Sequence, residues 1–260
     1  MIYLHTYSAF RKLVVLIFRI RMKNSKKRIS VTWFGHSAFL LETPEGASVL
    51  IDPWLDNPSA PAGARVRAHA RVILVTHGHG DHLGNTVELA KSSGAEVIAI
   101  HELALYLRHA GVEKAAGMNK SGTAVVDGLR ITMVDARHSG GIEEGDAVVA
   151  GSEPAGFVIR FENGFGVYHA GDTGLFSDML LIRDLYKPDL VLLPCGGYFT
   201  MGPREAARAC TMLNPKYIIG MHYGTFPILA GTPEEMRSHL PTPMRKRVHI
   251  LQPGSTVSLA

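Results

Sequence analysis

The chain has 260 residues, 46% of them hydrophobic and 19% charged, a composition typical of a globular domain with a sizeable core rather than a disordered chain. Its net charge of +4 comes from the first 30 residues, which hold eight basic side chains and no acid, so the rest has 19 basic against 23 acidic side chains. This balance argues against a nucleic-acid-binding protein, and two cysteines are too few for a disulfide framework.

The basic N-terminal extension, residues 1–26, contains one apolar run at 13–18, which Arg19 and Arg21 interrupt. The run is far shorter than the roughly 20 residues of a bilayer span, and it lacks the core and the cleavage site of a signal peptide. We therefore expect no stable membrane insertion and a cytoplasmic protein. A disordered extension, a basic amphipathic helix and translation that begins at Met22 remain alternatives for this segment, and residues 27–260 are expected to form a single domain.

From residue 29 onwards, short β-branched runs alternate with turns that contain Gly or Pro, and a long loop is predicted over 53–70. The first predicted elements are strands at 29–33, 38–43, 48–52 and 71–76, a helix at 85–93, a strand at 96–100, a helix at 101–110 and a hairpin of 123–126 with 130–135. The later ones are a hairpin of 156–161 with 165–170, a helix at 176–186, a strand at 190–194, a helix at 203–213, a strand at 217–222, a helix at 233–239, and strands at 247–251 and 256–259. This mixture predicts an α/β fold in which two sheets pack face to face with helices outside.

Four candidate metal ligands lie within six positions just after the predicted strand 71–76: His77, His79, Asp81 and His82. Imidazole and carboxylate groups suit Zn²⁺ and related divalent ions, and the intervening glycines let a turn bring the side chains together. A solvated polar turn is the alternative interpretation. Three further candidates, His138, Asp172 and His222, each follow or end a predicted strand, where α/β proteins collect their sites.

Other polar residues lie next to these candidates. His36 is expected to orient substrate or to support a ligand, with simple packing as the alternative. Asp52 and His169 are candidates for hydrogen bonds to ligand imidazoles, again with packing as the alternative. Tyr198 and Tyr223 are candidates for the pocket lining, although packing is the commoner role of a tyrosine.

The order His77-x-His79-x-Asp81-His82, then His138, then Gly171-Asp172-Thr173, then His222 resembles the metal motifs of the metallo-β-lactamase superfamily. The resemblance implies a four-layer αββα sandwich over residues 27–260. It also implies that three histidines hold one metal ion, that a second trio holds another, and that an aspartate bridges them. Carried onto this sequence, the first trio is His77, His79 and His138, the second is Asp81, His82 and His222, and the bridge is Asp172.

Shorter motifs resemble a subgroup of small bacterial metal-dependent hydrolases related to ascorbate-6-phosphate lactonase. They are the segments 33–40, 51–53, 199–203 and 221–227, which begin with Trp-Phe-Gly-His, Ile-Asp-Pro, Phe-Thr-Met-Gly and Met-His-Tyr-Gly. They indicate the subgroup and leave the substrate open, because one fold hosts many activities.

The expected function is hydrolysis of a small ester, lactone or phosphoester-type substrate by a hydroxide held between two divalent metal ions. Zn²⁺ is the first choice of metal, with Mn²⁺ or Fe²⁺ as alternatives. Asp81, Asp172 and His36 are the predicted catalytic residues. The partner is a small molecule, no nucleic acid is expected, and a homo-oligomer is compatible with the sequence.

Two rival functions remain. A phosphodiesterase acting on nucleotides or nucleic acid would use the same metals. The excess of acidic over basic side chains after residue 30 disfavours it. A non-catalytic metal-binding module tethered by the basic N-terminal arm belongs to a different class, and the complete set of ligands weakens it. Diiron redox chemistry is disfavoured because diiron relatives place Glu where His79 stands.

Overall fold

The computed structural model describes residues 28–144, 147–149 and 153–260. The predicted N-terminal extension lies outside these residues. Strands in the described part are β1 (Ile29–Trp33), β2 (Phe39–Glu42), β3 (Ser48–Ile51), β4 (Val72–Leu74), β5 (Glu96–Ile100), β6 (Ala115–Met118), β7 (Thr123–Val126), β8 (Leu129–Asp135), β9 (Ile142–Glu144), β10 (Ala147–Val149), β11 (Ala155–Arg160), β12 (Gly166–His169), β13 (Leu190–Pro194), β14 (Tyr217–Met221) and β15 (Thr256–Leu259). Helices are α1 (Ala64–Arg67), α2 (Gly80–Leu83), α3 (Thr86–Ser93), α4 (His101–His109), α5 (Met179–Tyr186), α6 (Pro203–Leu213), α7 (Pro233–His239) and α8 (Thr242–Arg245).

The described strands form two large sheets and one small hairpin. The first sheet has the order β15-β1-β2-β3-β4-β5-β6, the second has the order β14-β13-β12-β11-β8-β7, and β9 pairs with β10. Strands β3 to β6 run parallel to one another, as do β12 to β14. Parallel strands place their carboxyl ends at one edge of the sheet, which is the edge where α/β proteins bind ligands.

Apolar side chains fill the space between the sheets and the space under the helices. Phe39 and Leu41 of β2 share one buried cluster with Phe157 and Ile159 of β11, so this core lies between the two sheets. A second cluster joins the other face of β11 to β14 with α5, α6 and α7, and it includes Val158. All of β4 and, apart from Glu96, all of β5 are buried, as expected for parallel strands covered on both faces. The predicted layers of helix, sheet, sheet and helix are thus confirmed.

Two hairpins follow directly from their turn residues. Asp127 and Gly128 have φ angles of 49° and 81° between β7 and β8, the left-handed pair that a tight two-residue hairpin turn requires. Gly164 has a φ of 83° between β11 and β12. Both hairpins lie where the sequence predicts them.

Several elements differ from the predictions. The predicted loop 53–70 contains the short helix α1, and the histidine run is partly helical, because α2 begins inside it. The predicted strand at 247–251 is absent, since only Val248 bridges to Ile218 before the chain turns towards β15. Strand β6 and the β9–β10 hairpin were not predicted, because their short segments show little hydrophobic alternation and depend on their pairing partners.

Cys195 and Cys210 are free thiols, and both are fully buried. None of the helices in the part of the chain that the structure describes has the length and apolarity of a membrane span.

Candidate metal centre

The histidine turn begins where the buried strand β4 ends. His77 is fully buried, and His79 precedes the first turn of α2 in an extended conformation. A side chain at Gly78 would meet the Cγ1 atom of Ile142 at 2.5 Å. Glycine is therefore required at Gly78 because strand β9 packs directly on the turn.

The first group of candidate ligands is His77, His79 and His138, whose ligand atoms all lie within 4.8 Å of one another. His77 Nε2 lies 3.0 Å from His79 Nδ1. The ring of His138, from the loop after β8, lies 5.2 Å from each of the other two rings. The resemblance assigns these same three residues to one metal ion.

The second group contains Asp81, His82 and His222, together with His36, again within 4.8 Å. Asp81 Oδ2 lies 3.9 Å from His222 Nε2, and Asp81 Oδ1 lies 3.9 Å from His82 Nε2. His36 Nε2 lies 3.0 Å from Asp81 Oδ2. The predicted second trio thus comes together, with one additional imidazole beside its carboxylate.

Asp172 lies between the two groups. Its Oδ2 is 2.8 Å from His222 Nε2 and 3.7 Å from His138 Nε2, while its Oδ1 is 3.3 Å from His82 Nε2. Both oxygens of this buried carboxylate therefore face imidazole nitrogens, which come from both groups.

Asp52 and Thr76 support the turn from below. Asp52 Oδ1 accepts a hydrogen bond from the Thr76 backbone N–H at 2.8 Å, and Asp52 Oδ2 accepts from Thr76 Oγ1 at 2.7 Å and from His82 Nδ1 at 2.8 Å. Because the Thr76 hydroxyl proton goes to Asp52, its oxygen accepts from His77 Nδ1 at 3.0 Å. Both histidines therefore carry a proton on Nδ1 and turn Nε2 towards the site.

The carboxylates of the site are charged at neutral pH. Burial alone would raise the pKa of Asp172, but the adjacent His222 and His82 hold it well below its usual value. Burial alone would likewise raise the pKa of Asp81, and the hydrogen bond from His36 and the charge of His82 lower it instead.

The histidines of the site differ in their protonation. Burial lowers the pKa of His77 well below its ordinary value. Burial would also lower the pKa of His82, but Asp172 and Asp52 raise it well above that value. Burial lowers the pKa of His36 to about 4, despite its hydrogen bond to Asp81. A neutral His36 donates its Nε2 proton to Asp81 and accepts the hydroxyl proton of Thr225 at Nδ1, where the two atoms lie 2.9 Å apart.

The residues present fit divalent metal ions. Close contacts within the site do not give every buried atom a hydrogen bond: His82 Nε2, Asp172 Oδ1 and both ring nitrogens of His222 have no partner in hydrogen-bonding geometry among the described residues. An unsatisfied buried group costs about 1–3 kcal/mol. Imidazole nitrogens and carboxylate oxygens are the ligands that Zn²⁺ and similar ions bind. Metal coordination would satisfy His82 Nε2, Asp172 Oδ1 and one ring nitrogen of His222.

Three other predicted residues lie elsewhere in the site or outside it. His169 follows the packing alternative, because its ring nitrogens face the Ser37 carbonyl and the Gly171 N–H rather than a ligand imidazole. Tyr223 packs its ring on Trp33 at 5.2 Å, whereas Tyr198 is 73% exposed. Sequence analysis also missed Thr76 and Thr225, whose positions beside His77 and in the motif after His222 were the available signals.

Comparisons with known proteins agree with this geometry. The family model described as "Beta-lactamase superfamily domain" matches residues 47–223. A UPF0173 metal-dependent hydrolase of Koribacter versatilis is 45% identical over 231 residues, which are 88% of this chain and 98% of that protein. A UPF0173 metal-dependent hydrolase of Methanopyrus kandleri is 47% identical over 227 residues, or 87% and 98% of the two chains.

A solved structure is similar over the same length. Igni18, a novel metallo hydrolase from the archaeon Ignicoccus hospitalis, superposes with a TM-score of 0.79 at 35% identity and covers 90% of this chain and 99% of its own. The two-sheet arrangement, the cluster of histidines and aspartates at the carboxyl edge and these relatives lead to one conclusion. The chain belongs to the beta-lactamase superfamily and is a metal-dependent hydrolase with the single-domain metallo-β-lactamase fold.

Proposed function

We propose that this hydrolase holds two divalent metal ions and cleaves a small ester, lactone or phosphoester-type substrate. Zn²⁺ is the proposed ion, with Mn²⁺ and Fe²⁺ as alternatives, because imidazole and carboxylate ligands accept all three. The proposed ligands are His77, His79 and His138 for one ion, Asp81, His82 and His222 for the other, and Asp172 for both.

The position of Asp172 carries this proposal. Its two oxygens lie 2.8 to 3.7 Å from nitrogens of His222, His82 and His138. A ligand shared by two ions needs this arrangement, with imidazoles of both groups around a single carboxylate. A solvated polar turn would leave these side chains exposed, whereas Asp172, His82 and His222 are buried.

Two bound ions would supply Lewis acidity, polarising the scissile carbonyl or phosphoryl oxygen and lowering the pKa of water towards neutrality. The chain contributes the charged carboxylates of Asp81 and Asp172, which are proposed to orient the attacking water by accepting its hydrogen bonds. The burial of Asp172 also keeps bulk water away from this point and strengthens its electrostatic contacts.

Within this proposal, His36 is a positioning residue that acts through Asp81. It is fully buried, and its two ring nitrogens contact Asp81 and Thr225. These contacts fix the orientation of the Asp81 carboxylate. They favour this role over direct contact with substrate.

We also propose that the protein acts in the cytoplasm on a small molecule. The free, buried thiols of Cys195 and Cys210 support this compartment, because a reducing environment keeps thiols unpaired.

Metal analysis combined with a substrate panel tests the proposed function. Elemental analysis of protein purified with and without air should give about two metal ions per chain, and fewer than about one would count against the two-metal site. A panel of a lactone, a thioester and a phosphodiester should show hydrolysis of at least one class.

Variants of single ligands test the assigned roles. His79→Ala and Asp172→Ala should each lose metal and abolish turnover while circular dichroism shows the fold retained. The matched control is His69→Ala, an exposed loop histidine that should keep both metal and activity. Full activity in either ligand variant would refute the assignment of that residue.

A further inference from the structure

Two aromatic rings stand beside the metal centre and are not used by the proposed chemistry. Trp54 and Phe226 stack with their centroids 5.9 Å apart at 28°. Both rings make edge-to-face contacts with the ring of His36, at centroid distances of 5.2 Å for Trp54 and 6.1 Å for Phe226. The His36 ring in turn lies 3.9 Å from that of His222. We call this pair of rings, Trp54 and Phe226, the aromatic wall. A molecule bound against the wall lies next to the candidate metal ligands.

The backbone holds both rings in place. The Trp54 N–H donates to the Asp52 carbonyl at 2.7 Å, and Asn57 Nδ2 donates to the Trp54 carbonyl at 2.7 Å. Phe226 lies in a compact turn in which its carbonyl accepts from the Leu229 N–H at 3.0 Å. Because the turn is fixed, Phe226 stays 37% exposed instead of folding into the core.

More apolar surface continues along the same edge of the sheet. Ile228, two residues after Phe226, is 45% exposed. The neighbouring loop after β13 carries exposed Tyr198 and Phe199, and the two loops are joined by the hydrogen bond from Gly231 N–H to the Gly196 carbonyl. Exposed aromatic side chains grouped beside a polar cluster are typical of a site that binds an apolar ligand.

Two arginines that are close in sequence to the centre and to the wall are already paired with carboxylates. Arg65 pairs with Asp56 and with Glu88 at 2.8 Å, and Arg137 pairs with Asp135 at 3.2 Å. Recognition of a phosphate group depends on guanidinium or ammonium groups that are available to it. Both guanidinium groups already contact carboxylates and are not available to a ligand at the wall. The surroundings of the wall therefore favour an uncharged ligand.

We infer that the aromatic wall binds the apolar acyl part of an uncharged ester, thioester or lactone and places its carbonyl at the metal centre. This inference rests on the proposed function and narrows its substrate class, since it sets phosphoesters aside.

A series of acyl chain lengths tests the inference by kinetics. With metal-loaded protein, kcat/KM for p-nitrophenyl acetate, butyrate and hexanoate should rise by up to about fourfold for each methylene that reaches the wall. Bis(p-nitrophenyl) phosphate, the charged comparison, should be the poorest substrate.

Trp54→Ala and Phe226→Ala should flatten the dependence of kcat/KM on chain length, and Trp54→Phe should restore most of it. The control Leu185→Ala removes an exposed apolar side chain from α5 and should keep the full dependence. A chain-length dependence that the wall variants leave unchanged, or a preference for the phosphodiester, would overturn the inference.

Binding of an uncharged fluorescent probe, N-phenyl-1-naphthylamine, separates this inference from the proposed function because it needs no turnover. The probe should bind to the wild type and to Leu185→Ala with equal Kd, and its Kd should rise at least about tenfold in Trp54→Ala and Phe226→Ala. Equal Kd in all four proteins would refute the wall. Loss of probe binding in the wall variants, together with no hydrolysis of any ester, would support the apolar site and refute hydrolysis of these substrates.

Discussion

Asp52 joins the core of the protein to its metal centre. Its side chain is fully buried and accepts three hydrogen bonds, two from Thr76 and one from His82. An acceptor on Nδ1 fixes the ring of a metal-binding histidine and raises its basicity. The residue therefore influences both the stability of the β4 end and the orientation of a proposed ligand.

Asp52→Asn should weaken metal binding by about 10- to 100-fold and destabilise the fold by about 1–3 kcal/mol, because an amide nitrogen would then face hydrogen-bond donors. Competition with a chelator measures the affinity, and urea unfolding measures the stability. Asp127→Asn is the matched control, since Asp127 forms an exposed pair with Arg71 at 3.3 Å, worth about 0–1 kcal/mol. Equal metal affinity in the two variants would contradict the role given to Asp52.

Several residues in and near the centre have a strained backbone. His36, Asp52, Tyr198 and His222 have φ angles of 50°, 46°, 59° and 55°, a left-handed conformation that costs a non-glycine residue about 1–2 kcal/mol. Such residues persist only where their surroundings determine them, and they often mark functional sites. Here three of the four carry or contact the candidate ligands.

The ends of parallel strands assemble the centre from distant parts of the chain. Asp52 follows β3, His77 follows β4, Asp172 follows β12 and His222 follows β14. The strand ends are packed so tightly that a Cβ at Gly196, just after β13, would lie 2.1 Å from the His222 carbonyl oxygen. The loop after β13 therefore sets the position of the His222 backbone.

Gly196→Ala should push the end of β14 outwards, cost about 3 kcal/mol of unfolding free energy, as in other overpacked sites, and reduce metal occupancy. Gly174→Ala is the control, because its Cβ would meet only the Arg137 carbonyl oxygen at 3.7 Å. Urea unfolding and elemental analysis of both variants provide the measurements. Equal stability and equal metal content in Gly196→Ala and Gly174→Ala would contradict this effect of packing.

The whole molecule gains stability from any ion that binds the native state and not the unfolded chain. The proposed ligands lie in the sequence from His77 to His222 and come together only on folding, so each ion would link both sheets. For one site, ligand at 100 times Kd stabilises the native state by about 2.7 kcal/mol.

Chelation should therefore lower the Tm by about 5–10 °C, since each kcal/mol shifts the Tm of a protein of this size by about 2–4 °C. Calorimetry of protein with and without chelator, with removal checked by elemental analysis, measures the shift. His79→Ala should show a smaller shift and His69→Ala the full one. An unchanged Tm after complete removal of metal would contradict stabilisation by the ions.

The sequence by itself determined most of the strands and helices, because hydrophobic runs, Asp127-Gly128 and similar turns act locally. It also predicted the superfamily from the order of the histidines and aspartates. Strand β6 and the β9–β10 hairpin escaped prediction, since Ala115–Met118 and Ile142–Glu144 are held by their partners rather than by their own pattern.

Only the tertiary structure decided which of the candidate polar residues meet. His36 and His169 look alike in the sequence, each a histidine near the end of a strand, yet His36 contacts Asp81 while His169 contacts backbone groups. The aromatic wall likewise unites Trp54 and Phe226, which no local pattern connects. The physical reason is that strand order and register bring distant residues together, and contacts between strand ends depend on the packing of two sheets rather than on neighbouring residues.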